Sequence, residues 1–170
     1  MRTRTAMTAA AVFAAGAVLA PATAGAEGGT TRHDGTLTSY SAVADNPTTG
    51  VQAAVHVVET GDGTSRFTLH VWGFAPEDAG HTYGAHFHTG DCADRVNAGG
   101  HYTNPTATGT LEEREVWLDF TVNASGNGHA TASRPWVIAD GAAGCLVVHA
   151  DATIADGTAG IRLACLLFEP

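Results

Sequence analysis

The stretch Val51–Trp72 reads VQAAVHVVETGDGTSRFTLHVW: two apolar-rich runs, Val51 to Glu59 and Thr64 to Trp72, on either side of Gly61-Asp62-Gly63. Such runs joined by a Gly-Asp-Gly turn describe a β-hairpin. The pattern continues outward. Glu113 to Val122 alternates and puts Val116, Leu118, Phe120 and Val122 on one face, because successive side chains on a strand point to opposite sides. Asn123 to Gly128 then turns the chain, and His129 to Ile138 brings it back. Cys145 to His149 and Ile161 to Phe168 are two further strands, and Thr36 to Val43 and a strand through His86-Phe87-His88 complete the set. Strands at this spacing, about eight of them, predict an all-β sandwich or closed barrel. The many glycines and the lack of helical periodicity after the N-terminal run agree with this. No internal repeat or linker is present, and residues 27–35 are expected to be loosely held.

The chain has 170 residues. It opens Met1-Arg2-Thr3-Arg4, continues with an apolar run from Ala6 to Ala20, and reaches small residues between Ala22 and Ala26 that offer two A-x-A cleavage points. Residues 1–26 therefore read as a secretory signal peptide, too short and too soon followed by polar sequence to span a membrane. No cysteine follows the cleavage region, which argues against a lipid anchor. Residues 27–170 form one domain with enough chain for a sizeable core. Without another long apolar segment, membrane insertion is not expected, and the mature protein is placed outside the cell or in its envelope. All eight basic residues are arginines, and loss of Arg2 and Arg4 takes the formal charge from −9 to −11. That balance excludes nucleic acid as a natural partner. It also requires any anionic substrate to be drawn in by a local positive site.

Three cysteines remain in an exported chain, so one is left over from any disulfide. Cys145, beside Leu146-Val147-Val148, reads as a buried free thiol. Cys92 in a Gly/Asp-rich loop and Cys165 in the C-terminal apolar run could staple that loop to a strand, a cross-link worth roughly 4 kcal/mol in the chain-entropy model.

His86 and His88 form an H-x-H step, which on a strand sends both imidazoles to one face. His101 follows in Gly99-Gly100-His101-Tyr102, and His149 ends the run Leu146-Val147-Val148. Imidazoles in such numbers suit copper, zinc, iron or nickel. Two long loops, Thr89 to Thr110 and Ala150 to Gly160, are the natural carriers of a site on a β scaffold. No nucleophile motif supports a hydrolase.

Read in order, His86-x-His88, Cys92, Gly100-His101-Tyr102-x-Asn104-Pro105, Leu146-Val147-Val148-His149-Ala150-Asp151 and Gly160-Ile161-Arg162-Leu163-Ala164-Cys165 resemble the Cu/Zn superoxide dismutase family, from about Gly35 to Phe168. The resemblance implies an eight-stranded Greek-key β-barrel and one copper per chain on His86, His88, His101 and His149. It further implies a Cys92–Cys165 disulfide, and Arg162 beside the copper to dock the superoxide anion.

The zinc subsite of the family does not carry over. Tyr102 to Phe120 contains no histidine, and His129 reads as a solvated strand residue. His33, His56, His70 and His81 precede the site and read as structural or exposed. Four tetrahedral ligands cannot be assembled, and His149 and Arg162 are close in sequence. Both departures resemble the copper-only branch, in which a glutamate sits near the free nitrogen of the histidine matching His101. Glu115 is the best match for that carboxylate, and Asp119, on the same strand face, is the next candidate. Glu112 and Glu113 read as solvated acids. The expected activity is conversion of superoxide to oxygen and hydrogen peroxide, with Arg162, His101 and Glu115 catalytic. The alternative is an exported protein that binds and buffers copper on the same scaffold. Trp136 and Phe168 are left open between core and interface.

Overall fold

The computed structural model describes residues 28–40 and 42–168. The signal-peptide reading of residues 1–26 lies outside them. Among the described residues the fold is all-β: ten strands, all paired antiparallel, with a 3-10 turn at Pro76–Asp78 and one turn of α-helix. In chain order the elements are β1 (Thr30–Thr36), β2 (Thr38–Ser39), β3 (Gln52–Glu59), β4 (Ser65–Trp72), β5 (Thr82–Tyr83), β6 (Ala85–His88), α1 (Leu111–Arg114), β7 (Phe120–Thr121), β8 (Asn127–Arg134), β9 (Cys145–His149) and β10 (Arg162–Leu167). They form one sheet ordered β1-β3-β4-β8, a second ordered β2-β10-β9-β6 and a small pair, β5-β7. None of the three sheets closes on itself. Among the described residues no helix is long and apolar enough to cross a membrane.

The predicted hairpin is present as β3 and β4, in register from Gln52↔Trp72 to Glu59↔Ser65. Its inward residues, Val55, Phe67, Leu69 and Val71, meet Phe87, Leu146, Val148 and Leu163 of the second sheet in one core. Trp136 belongs to that core. Its indole Nε1 donates to the Glu113 carbonyl, which satisfies the one polar atom such a ring must bury. Phe168 is partly buried against the same core and packs on His33 and Phe87.

Four expectations are corrected. Residues 30–36 are not loose: β1 pairs with β3 along its whole length, from Thr30↔Val58 to Thr36↔Gln52. It is an exposed, polar edge strand held by backbone ladder bonds, so it carries no apolar alternation. The strand expected over Thr36–Val43 breaks at Leu37, where the chain leaves one sheet for the other and only β2 pairs with β10. Glu113–Val122 is not one strand. Thr110 caps α1 through a reciprocal capping box with Glu113, and the chain after it touches its neighbours at single bridges before β7 begins. Val116, Leu118, Phe120 and Val122 are nevertheless all buried, as the alternation predicts. Finally, β8 stops at Arg134, before Pro135, whose ring nitrogen cannot continue a ladder. Ten strands stand where about eight were expected because β1 and the short β5 carry no apolar alternation, while the two broken strands each leave one short remnant, β2 and β7.

Cys92 and Cys165 are disulfide-bonded, with Cα atoms 5.5 Å apart and 73 residues between them in sequence, while Cys145 is a buried free thiol. The bond ties the 90–99 loop to β10. Burial pushes the Cys145 thiol up to about 12, which keeps it protonated and unreactive. The same loop is packed by close backbone contact: a Cβ on Gly144 would collide with the Gly90 carbonyl oxygen. Gly144→Ala should therefore cost about 1–3 kcal/mol and lower Tm by roughly 3–10 °C. Gly29→Ala, which meets nothing within 4 Å, should leave Tm unchanged. Thermal melts of the two variants compare them directly, and equal Tm values would mean the loop yields freely.

Candidate metal centre

β6 reads Ala-His-Phe-His. Phe87 points into the core, so His86 and His88 must point out of the same strand, away from the core, where both are fully buried under loops. The outer edge of β6 is covered by two segments of chain. Phe87 accepts from the Tyr102 amide (2.8 Å) and donates to the Val116 carbonyl (3.3 Å), and this places His101 opposite His88 and Trp117 opposite His86. On the other edge β9 delivers His149 from its last position. Four imidazoles thus converge although their sequence positions span more than sixty residues. One ligand nitrogen from each lies within 4.8 Å of the others. The His86 and His101 ring centres are 4.2 Å apart, and the Nε2 atoms of His88 and His149 are 3.4 Å apart.

Hydrogen bonds identify which nitrogen each ring turns inward. His88 Nδ1 donates to the Gly99 carbonyl (3.2 Å) and His149 Nδ1 to the Gly160 carbonyl (3.3 Å). His101 Nδ1 donates to Glu115 Oε2 (2.8 Å). All three therefore present Nε2 to the centre. His86 is reversed. Its Nε2 donates to Thr153 Oγ1 (2.6 Å), and the threonine hydroxyl in turn donates to Asp119 Oδ1 (2.6 Å). His86 Nδ1 is left buried with no partner. An orphaned buried nitrogen costs about 1–3 kcal/mol, and a metal ion at the centre of the four rings is the partner that would satisfy it. The donor set fits a transition-metal ion, with each outer nitrogen fixed by a carbonyl, carboxylate or hydroxyl in the manner of a ligated histidine.

The electrostatics agree. Burial first, and then the mutual repulsion of the rings, pushes His86 down to about 2, and burial likewise pushes His88 down to about 3 and His149 to about 4. All three are neutral at ordinary pH, the form that ligates metal. Burial alone would raise Glu115. The hydrogen bonds it accepts from His101 and Trp117 Nε1 (2.7 Å) and from Thr103 Oγ1 (3.2 Å) outweigh this and hold it below its ordinary value, so it is a carboxylate.

Arg162, at the start of β10, is half-buried and pinned at two points. Its guanidinium donates to the carbonyls of Arg95 (2.5 Å) and Gly99 (2.7 Å). Gly99 O is the atom that also receives His88 Nδ1, so one carbonyl links the arginine to a cluster histidine.

The structure brings together the four histidines singled out in the sequence, links Arg162 to them through the Gly99 carbonyl, and gives His101 the preferred of the two carboxylates. Glu115, not Asp119, meets His101. The chain between them is not a regular strand, and Asp119 instead serves His86 through Thr153, accepting the Thr153 amide (2.6 Å) as well as its hydroxyl. Sequence reasoning missed Thr153. A threonine in the polar loop 150–160 carries no signal of its own; only its fold neighbours give it a role. His33, His56, His70, His81 and His129 lie outside the cluster. Among the described residues the other set of at least three close metal-ligating side chains is Cys92, Cys145 and Cys165, two of which are consumed in the disulfide.

No protein-family model and no curated protein sequence matches the chain. Among solved structures it is similar to that described as the clock protein EA4, at 14% identity and a TM-score of 0.57, over 80% of this chain and 92% of that one. At that identity the likeness is one of fold.

Proposed function

We propose that this chain is an exported, copper-dependent superoxide dismutase of the zinc-lacking branch of the Cu/Zn superoxide dismutase family, built on a Greek-key barrel. The observation that carries the reading is the set of four inward imidazole nitrogens, each held from behind, next to a pinned guanidinium. The disulfide fits an oxidising compartment. Of the first-row divalent ions, copper binds such nitrogen sites most tightly. Copper held there would supply the electron exchange, taking an electron from one superoxide, which leaves as oxygen, and giving it to a second, which leaves with two protons as hydrogen peroxide.

The rest is work for the chain. The guanidinium of Arg162 carries a positive charge and offers its remaining N–H groups to the anion. Glu115 holds the Nδ1 proton of His101 and so fixes its tautomer. His101 is the least buried of the four rings; released from a reduced ion, its Nε2 would be free to take up a proton and pass it to departing peroxide. Thr153 and Asp119 hold His86 with Nδ1 inward.

The deciding experiment is metal content by mass spectrometry on protein offered copper and zinc together, with superoxide consumption measured on the same sample. One copper, negligible zinc and fast turnover is the expected result. Stoichiometric zinc would overturn the zinc-lacking assignment, and copper without turnover would identify a copper-buffering protein. The His86 support has its own check. Thr153→Val removes the hydroxyl between His86 and Asp119 and should weaken copper binding about 10–100-fold, whereas Thr153→Ser should restore it; competition titration against a copper chelator reads both.

A further inference from the structure

The outer face of the first sheet carries three histidines on adjacent strands: His56 on β3, His70 on β4 and His129 on β8. Alternation puts them there. Phe67, Leu69 and Val71 of β4 point into the core, so His70 points out, and on β8 Gly128 and Ala130 are buried while His129 is exposed. The four-imidazole cluster lies on the outer side of the other sheet, with the core between them.

His70 and His129 are directly opposite one another in the β4–β8 register, the arrangement that brings cross-strand side chains closest. Their ring centres are 4.6 Å apart, at an interplanar angle of 53°. Two imidazoles bound to one ion at about 2.0 Å place each ring centre roughly 3 Å from it, and rings separated as these are then subtend roughly 90° at the ion. That is the angle between neighbouring ligands in square-planar and octahedral coordination, which copper(II) and nickel(II) favour. Both rings are exposed and open onto a shallow hollow also lined by Trp72, Thr121 and Asn127, so the other coordination positions are open to water. His56 adds a further imidazole on the same face, its ring centre 6.5 Å from that of His70. The cation nearest to it in register, Arg32, is paired with Asp34 (2.7 Å).

From this geometry we propose a second metal site on the protein surface, in which His70 and His129 bind one copper(II) or nickel(II) ion in neighbouring positions. The site is independent of whatever the buried cluster holds. With two protein ligands and open water positions it binds more weakly than a four-imidazole centre and exchanges its ion readily.

The test uses copper(II) chloride and protein already given one equivalent of copper, with histidine ring resonances followed by NMR. A second equivalent should broaden His70 and His129, spare His33 and His81, and bind with a Kd that His70→Gln or His129→Gln raises about tenfold or more. Both substitutions are on an exposed strand face, so folding is expected to survive. The same broadening should appear in a His86→Gln, His88→Gln double variant, which separates failure of this site from failure of the buried one. Broadening centred on other histidines, or a Kd for the second equivalent that neither single variant changes, would overturn the proposal.

Discussion

Arg162→Glu should lower the superoxide kcat/KM of the copper-loaded protein by about 100-fold or more, the scale seen when one preorganised donor to a reacting anion is lost, while copper content stays at one per chain. The reason is the charge budget of the molecule. A formal charge of −9 over the full chain opposes an anionic substrate everywhere except where a local cation reverses the field. On the proposed function Arg162 is that cation. It is fixed by the Arg95 and Gly99 carbonyls, so its position costs nothing to organise at the moment of encounter. Reversal of its sign both removes the docking charge and adds a repulsive one. Added salt should then raise the residual rate of the variant, because screening weakens the repulsion. Arg162→Lys should fall between the two, since an ammonium keeps the charge but lacks the planar fork that holds both carbonyls in place while presenting further donors to the anion. Unchanged turnover in Arg162→Glu, with copper still bound, would remove Arg162 from the mechanism.

The metal-free protein should lose stability sharply on mild acidification, by about 4 kcal/mol between pH 7.5 and 5.5. His86, His88 and His149 are folded with their acidities shifted down to about 2, 3 and 4, chiefly by burial. In the unfolded chain each returns to about 6.5. Below that pH the unfolded state binds protons that the folded state refuses, so stability present above pH 6.5 is lost as pH falls toward the folded values. Each ring contributes about 1.4 kcal/mol over this interval, the slope steepening toward that value per pH unit only well below pH 6.5, against a total stability of about 5–15 kcal/mol for a domain. Urea unfolding at a series of pH values measures this, and a flat profile from 7.5 to 5.5 would mean that water reaches the rings. Copper should shift the loss to lower pH, because protons must compete with the ion for the inward nitrogens.

Much of the fold follows from patterns that survive without tertiary context. The β3–β4 hairpin, the inward set Val116, Leu118, Phe120 and Val122, and the shared face of His86 and His88 depend on the two-residue period of a strand. The period persists even where the ladder is broken, as it is between α1 and β7. β1 was illegible because an exposed edge strand is held by backbone bonds that leave no mark on side-chain composition.

For the site, the order of His86-x-His88, Cys92, His101, His149, Arg162 and Cys165 carries a family resemblance, and that resemblance is what singled out the four histidines, Arg162 and the Cys92–Cys165 pair. Only the tertiary structure decided the orientation of each ring. Whether Glu115 or Asp119 meets His101 depends on a register that the turn of helix at Leu111–Arg114 interrupts. That Thr153 stands between His86 and Asp119 depends on a loop more than thirty residues away in sequence. The inward nitrogen is chosen by the hydrogen bond on the opposite side of each imidazole, from partners such as the Gly99 and Gly160 carbonyls that every residue possesses. Such contacts are set by how loops pack and not by residue identity, so composition and spacing hold no record of them.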